Sequence, residues 1–216
     1  MKVLKLFRGK FEETVKEVIP ILKAGGVIAV PTDTVYGLGA DALNGEASRR
    51  VFKIKRRREK NPLPIFVGSF KKAGELARIE DEKVKDFLEK VWPGKITCVL
   101  KAREEVPEAI KAQDGTIALR IPSHDFVLKV LYAFGRPLTG TSANISGDPP
   151  LVKIQELIEE FETAEVKPDL IVDAGDLPES LPSTLVDLTS RPFKILREGA
   201  VSEEELKVLT SSFGDY

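Results

Sequence analysis

Apolar positions recur along the chain with two periods. Val15, Val18, Ile19 and Leu22 fall at helical spacing, which predicts an amphipathic helix over Phe11–Lys23, closed by Gly25-Gly26. Pro20 inside it predicts a kink or a break, because proline removes an N–H and crowds the turn before it. Residues 3–7 alternate as a short strand, and 27–30 form an apolar run bounded by Gly and Pro, the pattern of a buried strand. A loop follows over 31–39. The same reading predicts strands at 64–67, 96–101, 116–121, 137–141, 169–173, 184–188 and 193–197, and helices at 46–55, 71–78, 81–91, 124–134, 153–161 and 202–209. Ser202 before Glu203-Glu204-Glu205 reads as an N-cap with a capping-box Glu. Helices and strands interleave without a strict βα repeat. The fold class is therefore α/β of the α+β type, a twisted mixed β-sheet with flanking helices and not a doubly wound parallel sheet.

The chain has 216 residues, a length that favours a single domain over 1–216. With 42% hydrophobic and 31% charged residues it can bury a core and is too apolar for a disordered polymer. The balance of 33 Lys and Arg against 34 Asp and Glu gives a net charge of −1, which removes a global basic field as an argument for nucleic-acid binding. One Cys, Cys98, and one His, His124, exclude a disulfide framework and any zinc site of several Cys or His ligands, so no metal site is expected. No run approaches the roughly 18 apolar residues of a membrane span, and the N-terminus lacks a signal-peptide core, which predicts a cytoplasmic protein. Two Gln and three Asn beside abundant Lys and Glu match the bias of a thermophile's protein.

Four segments carry more polar and glycine content than a scaffold requires. The first, Pro31-Thr-Asp-Thr-Val-Tyr-Gly-Leu-Gly39, leaves a strand with hydroxyls and two glycines, which suits a close approach to a ligand or a self-satisfied turn. The second, over 53–60, holds six cations and one Glu for a local +5. Such repulsion favours phosphates as partners, although a solvated helix end also tolerates basic side chains. The third, Thr139-Gly-Thr-Ser-Ala-Asn-Ile-Ser-Gly147, offers hydroxyls and backbone N–H groups for phosphate or ribose but is no P-loop. The fourth comprises Arg120, Ser183-Thr184 and Arg197, which matter if they converge. His124 beside Asp125 lacks the G-x-S-x-G elbow of a hydrolase and reads as structural, and Cys98 reads as an inert core thiol.

The order and wording of these segments resemble one family. Gly25 to Gly39, Lys55-Arg-Arg57 with Asn61-Pro-Leu63, Trp92-Pro-Gly94 with Thr97, and Thr116 to Pro122 are similar to the YrdC-domain family, the threonylcarbamoyl-AMP synthases. Thr141-Ser-Ala-Asn144, Ser183-Thr184 and Leu196-Arg-Glu-Gly199 extend the likeness, which spans about residues 10 to 200. The resemblance implies a YrdC-like fold with a concave ligand site. It also implies a nucleotidyltransferase that turns L-threonine, bicarbonate and ATP into L-threonylcarbamoyladenylate and pyrophosphate for tRNA modification, with Mg2+ accompanying ATP. Phosphoryl transfer rests mainly on positioning and charge stabilisation, so an enzyme without a nucleophilic Cys or catalytic His is consistent with that chemistry.

By resemblance Lys55 and Arg57 are the catalytic cations. ATP falls to Lys55, Arg57, Asn61, Thr116, Ser142, Asn144 and Arg197, and threonine to Thr32, Arg120, Thr141 and Ser183, with Arg120 pairing to its carboxylate. The resemblance implies a threonylcarbamoyl transferase as downstream partner and leaves tRNA or RNA contact open. One departure is visible: many members carry a His where this chain has Phe66. Longer members append a C-terminal domain, so the chain resembles the short form. Two other readings stay open here: a double-stranded RNA-binding module using the basic segment, and a YrdC-like paralogue with a different carbamoyl substrate.

Overall fold

The computed structural model describes residues 1–7, 9–58 and 62–210, and among them it forms two mixed sheets and seven α-helices. In chain order these are β1 (Lys2–Lys5), α1 (Phe11–Lys23), β2 (Ile28–Val30), β3 (Gly37–Gly39), α2 (Gly45–Ile54), β4 (Ile65–Phe66), α3 (Phe70–Leu76) and α4 (Glu82–Val91). There follow β5 (Ile96–Lys101), β6 (Thr116–Arg120), α5 (Asp125–Phe134), β7 (Leu138–Thr139), β8 (Thr141–Ser142) and α6 (Ile154–Glu162). The series closes with β9 (Leu170–Asp173), β10 (Thr184–Asp187), β11 (Lys194–Arg197) and α7 (Glu203–Thr210).

The five-stranded sheet runs β1-β9-β2-β3-β8, and the six-stranded sheet β11-β10-β5-β6-β4-β7. Each mixes parallel and antiparallel pairs: β2 lies parallel to β9 and antiparallel to β3, and β5 lies parallel to β10 and antiparallel to β6. The sequence led us to expect one sheet. The division arises because the glycine-rich loop after β2 folds back as β3 and because 137–141 breaks into two two-residue strands, β7 in one sheet and β8 in the other.

Alternation then assigns the faces. In the five-stranded sheet Ile28, Val30, Leu170 and Val172 pack with α1 and α5, while Ala29, Leu38 and Ile171 pack with α2 and α6, so both faces are covered. In the six-stranded sheet Ile96, Cys98, Leu100, Ile117 and Leu119 pack against Phe87, Leu88 and Trp92. The intervening residues Val99, Thr116, Ala118, Arg120 and Leu185 are left to line a cavity. Cys98 is thus an inert core thiol, its pKa pushed up by burial.

Pro20 does not break α1, which continues to Lys23. Lys16 and Pro20 both stand on the exposed face, where water can take the carbonyl that the missing N–H releases. Ser202 and Glu205 form the reciprocal capping box: Ser202 N–H donates to the Glu205 carboxylate at 2.9 Å, and Glu205 N–H donates to Ser202 Oγ at 3.1 Å.

Candidate active site

A cavity of about 420 Å³ lies between the two sheets. The five-stranded side supplies Thr32, Thr34, Gly37, Thr141, Ser142 and Asn144; the six-stranded side supplies Phe66, Val99, Thr116, Ala118, Arg120, Ser183, Leu185 and Arg197. Lys55 and Arg57 enter from the end of α2. Of the residues that the resemblance assigns to ATP or threonine, all but Asn61 line this one space; Asn61 lies outside the described residues, as do Glu59 and Lys60, and Thr184 of the fourth segment does not line it.

The basic segment is not a uniform patch. Lys53, Arg56 and Arg58 are exposed, whereas Lys55 is buried and Arg57 half-buried against the cavity. The end of α2 explains the sorting. Arg57 N–H bonds back to Phe52 C=O at 2.9 Å and Arg56 N–H to Lys53 C=O at 3.1 Å, a Schellman motif that needs a left-handed residue between them. Arg56 takes that role at φ +50°, and the turn it makes carries Arg57 into the cavity while its own side chain stays in water.

Lys55 is 2% exposed, and its ammonium donates to Ser142 C=O at 2.6 Å, Asn144 C=O at 2.9 Å and Asn144 Oδ1 at 3.0 Å. Three N–H groups thus meet three oxygens of the 142–144 loop. Ser142 Oγ donates to Asn144 Oδ1 at 2.6 Å, and Asn144 Nδ2 donates to Asp148 C=O at 2.6 Å, which fixes the loop from its other side. Burial, with Arg57 nearby, lowers the Lys55 pKa to about 8. Arg57 Nη2 donates to Pro62 C=O at 3.2 Å and Arg197 Nη2 to Ser183 C=O at 2.7 Å. Both arginines are depressed by burial, and Arg57 also feels the charge of Arg197.

A second cluster surrounds Arg120, which is 2% exposed. Its Nε donates to Gly94 C=O at 2.8 Å, Nη1 to Thr34 Oγ1 at 3.3 Å and Nη2 to Asp33 Oδ1 at 2.6 Å. The ring of Phe66 lies under the guanidinium, 5.6 Å from centroid to Cζ. That ring also presses on Gly140, where a Cβ would sit 2.4 Å from a ring carbon, so only glycine lets Phe66 stand there. Thr32 Oγ1 donates to Val35 C=O at 2.7 Å and accepts from Thr34 N–H at 3.0 Å, which shapes the loop after β2. Ser183 Oγ and Thr97 Oγ1 are 2.7 Å apart. Thr116 bonds to Asp114 through both its N–H and its hydroxyl.

None of the described residues lining the cavity is Asp or Glu, while Lys55, Arg57 and Arg197 all line it, an arrangement suited to a polyanion. The same donor set gives a divalent cation no anionic protein ligand there, and no cluster of His, Cys, Asp or Glu suited to a metal occurs among the described residues. Asp33, Thr34 and Thr97 were not singled out from the sequence as ligands. Thr34 and Thr97 are ordinary strand and loop hydroxyls whose only signal was membership in the quoted segments.

Comparison with known proteins agrees with this architecture. The family profile described as Sua5/YciO/YrdC, telomere recombination, matches residues 20–199. A threonylcarbamoyl-AMP synthase of Pyrococcus abyssi is 38% identical over 186 residues, covering 86% of this chain and 54% of its own length. One of Mus musculus is 32% identical over 215 residues, covering 96% of this chain and 74% of its own. The crystal structure of P. abyssi Sua5 complexed with L-threonine superposes with a TM-score of 0.90 at 33% identity, over 100% of this chain and 62% of that one. The chain thus spans about half to three fifths of the P. abyssi protein's length.

Proposed function

This chain belongs to the Sua5/YciO/YrdC family, and from that footing we propose that it is a nucleotidyltransferase forming L-threonylcarbamoyladenylate and pyrophosphate from L-threonine, bicarbonate and ATP. The observation that carries the reading is that one cavity is lined by Lys55, Arg57 and Arg197 on one side and by a buried, pre-oriented Arg120 on the other.

The chemistry divides between the clusters. Threonine's amine adds to carbon dioxide derived from bicarbonate and loses a proton, giving a carbamate; a carbamate oxygen then attacks the α-phosphorus of ATP as the bond to pyrophosphate breaks. Attacker and target are both anions, so cations must offset their repulsion and hold them in line. Arg57 and Arg197 bind the triphosphate. Lys55 adds its charge and holds the 142–144 loop, so that Ser142, Asn144 and the neighbouring backbone present a fixed surface to the nucleotide, with Thr116 beside it. Arg120 takes the threonine carboxylate, and Thr32, Thr141 and Ser183 frame the amino acid. Magnesium enters as part of the MgATP substrate. The product, a mixed anhydride, passes to a threonylcarbamoyl transferase acting on tRNA.

The test is pyrophosphate release with folded protein, MgATP and labelled bicarbonate. Release that requires L-threonine, with label appearing in an adenylate, is expected; release indifferent to threonine, or none, contradicts the proposal.

A further inference from the structure

Arg120 has five N–H groups, and three are committed to Gly94, Thr34 and Asp33. Two remain, one on each terminal nitrogen, which is the number a carboxylate takes from an arginine fork. The protein therefore grips the back of the guanidinium, and what holds the grip decides where the fork points. Asp33 is its one charged holder, 92% buried by side chain, at 2.6 Å.

The other oxygen of that carboxylate, Asp33 Oδ2, is buried without a hydrogen-bond partner. One other buried side-chain polar atom among the described residues shares that condition: His124 Nδ1. Burial lowers the pKa of the His124 ring, and the Asp33 carboxylate, followed by Asp125, opposes that fall. His124 sits four residues beyond Arg120, where the chain leaves β6 and enters α5, and its side chain does not cap that helix. A buried carboxylate oxygen that lacks a donor and a buried imidazole nitrogen that lacks a partner are complementary in chemistry.

We propose that Asp33 and His124 are positioning residues for Arg120: Asp33 holds the guanidinium through Oδ1, and the Nδ1–H of His124 holds Oδ2 through one bridging water. Neither touches substrate. Together they stop the carboxylate from rotating away and keep the two uncommitted N–H groups of Arg120 aimed into the cavity. The inference rests on the assignment of Arg120 to the threonine carboxylate. It explains why the lone histidine can be part of a site that needs no acid–base residue.

The experiment separates the two substrates. In the pyrophosphate assay Asp33→Asn, which keeps the shape and removes the charge, is expected to raise the KM for threonine at least tenfold while the KM for ATP moves less than twofold. His124→Leu is expected to raise the threonine KM severalfold. His124→Asn, whose amide N–H falls near the position of Nδ1, is expected to restore it to within about threefold of wild type, whereas His124→Gln is not. The unchanged ATP KM shows in each case that the variant is folded. Equal shifts in both KM values, an unchanged threonine KM in His124→Leu, or equal behaviour of the Asn and Gln variants would overturn the positioning role while leaving the catalytic reading intact. Wild-type protein without threonine-dependent release would overturn that reading, and the positioning role with it.

Discussion

Lys55 concentrates the conflict between charge and burial. Its ammonium is enclosed, has another cation for a neighbour, and is held by carbonyl oxygens that carry no full charge, so its pKa falls from 10.5 to about 8. Because the folded pKa lies below the unfolded one, the cost of the buried charge is fully present below about pH 8. It is relieved as pH rises from there to 10.5, where the unfolded chain holds the proton that the folded chain has shed, and stability gains accordingly. A triphosphate bound nearby favours the charged form. ATP binding at pH 8.5 should therefore take up roughly half a proton or more, visible as a difference in binding heat between two buffers of unlike ionisation enthalpy. Lys55→Met should abolish that difference, and its absence in the wild type would contradict the role. Arg57→Ala should lower kcat/KM for ATP by at least ~2 kcal/mol, as loss of a charge-assisted contact does, with threonine saturation little changed.

The end of α2 shows how an element serves a site. A left-handed arginine costs roughly 1–2 kcal/mol, and Arg56 carries that strain in exchange for the turn that sends Arg57 inward. Glycine suits the same conformation but loses more entropy on folding, so Arg56→Gly should stabilise the protein by about 0.5–1 kcal/mol in urea unfolding while leaving the KM for ATP unchanged. A destabilised variant would show that the Arg56 side chain contributes more than its exposure suggests. Helices were legible in the sequence because they repeat their period over about two turns or more, as in the 13-residue α1 and the ten-residue α4. The three-residue β3 and two-residue β8 were not, since Gly37–Gly39 and Thr141–Ser142 are too short to alternate and pair only once the chain has folded. Arg57, Ser142 and Asn144 were legible as candidates because the wording of their segments matches the family's in order, and the structure brings all three to one cavity. Asp33 was not legible as a holder of Arg120, because that pairing spans 87 positions, which spacing along the chain does not reveal.

At the scale of the whole molecule, the net charge of −1 conceals a cavity walled by cations. Strand alternation puts Ile96, Cys98, Leu100, Ile117 and Leu119 into a core and leaves Val99, Thr116, Ala118 and Arg120 on the cavity side, so the sheets meet there across a cavity instead of across packed side chains. Nucleotide and amino acid would then join parts of the fold that come from residues 32–57, 116–144 and 183–197. The most direct test is a crystal structure with L-threonine and a non-hydrolysable ATP analogue bound together. The account predicts the threonine carboxylate on Arg120, the triphosphate on Arg57 and Arg197, and the amine facing the α-phosphate. Either ligand bound outside this cavity, or threonine seated with its carboxylate away from Arg120, would contradict it.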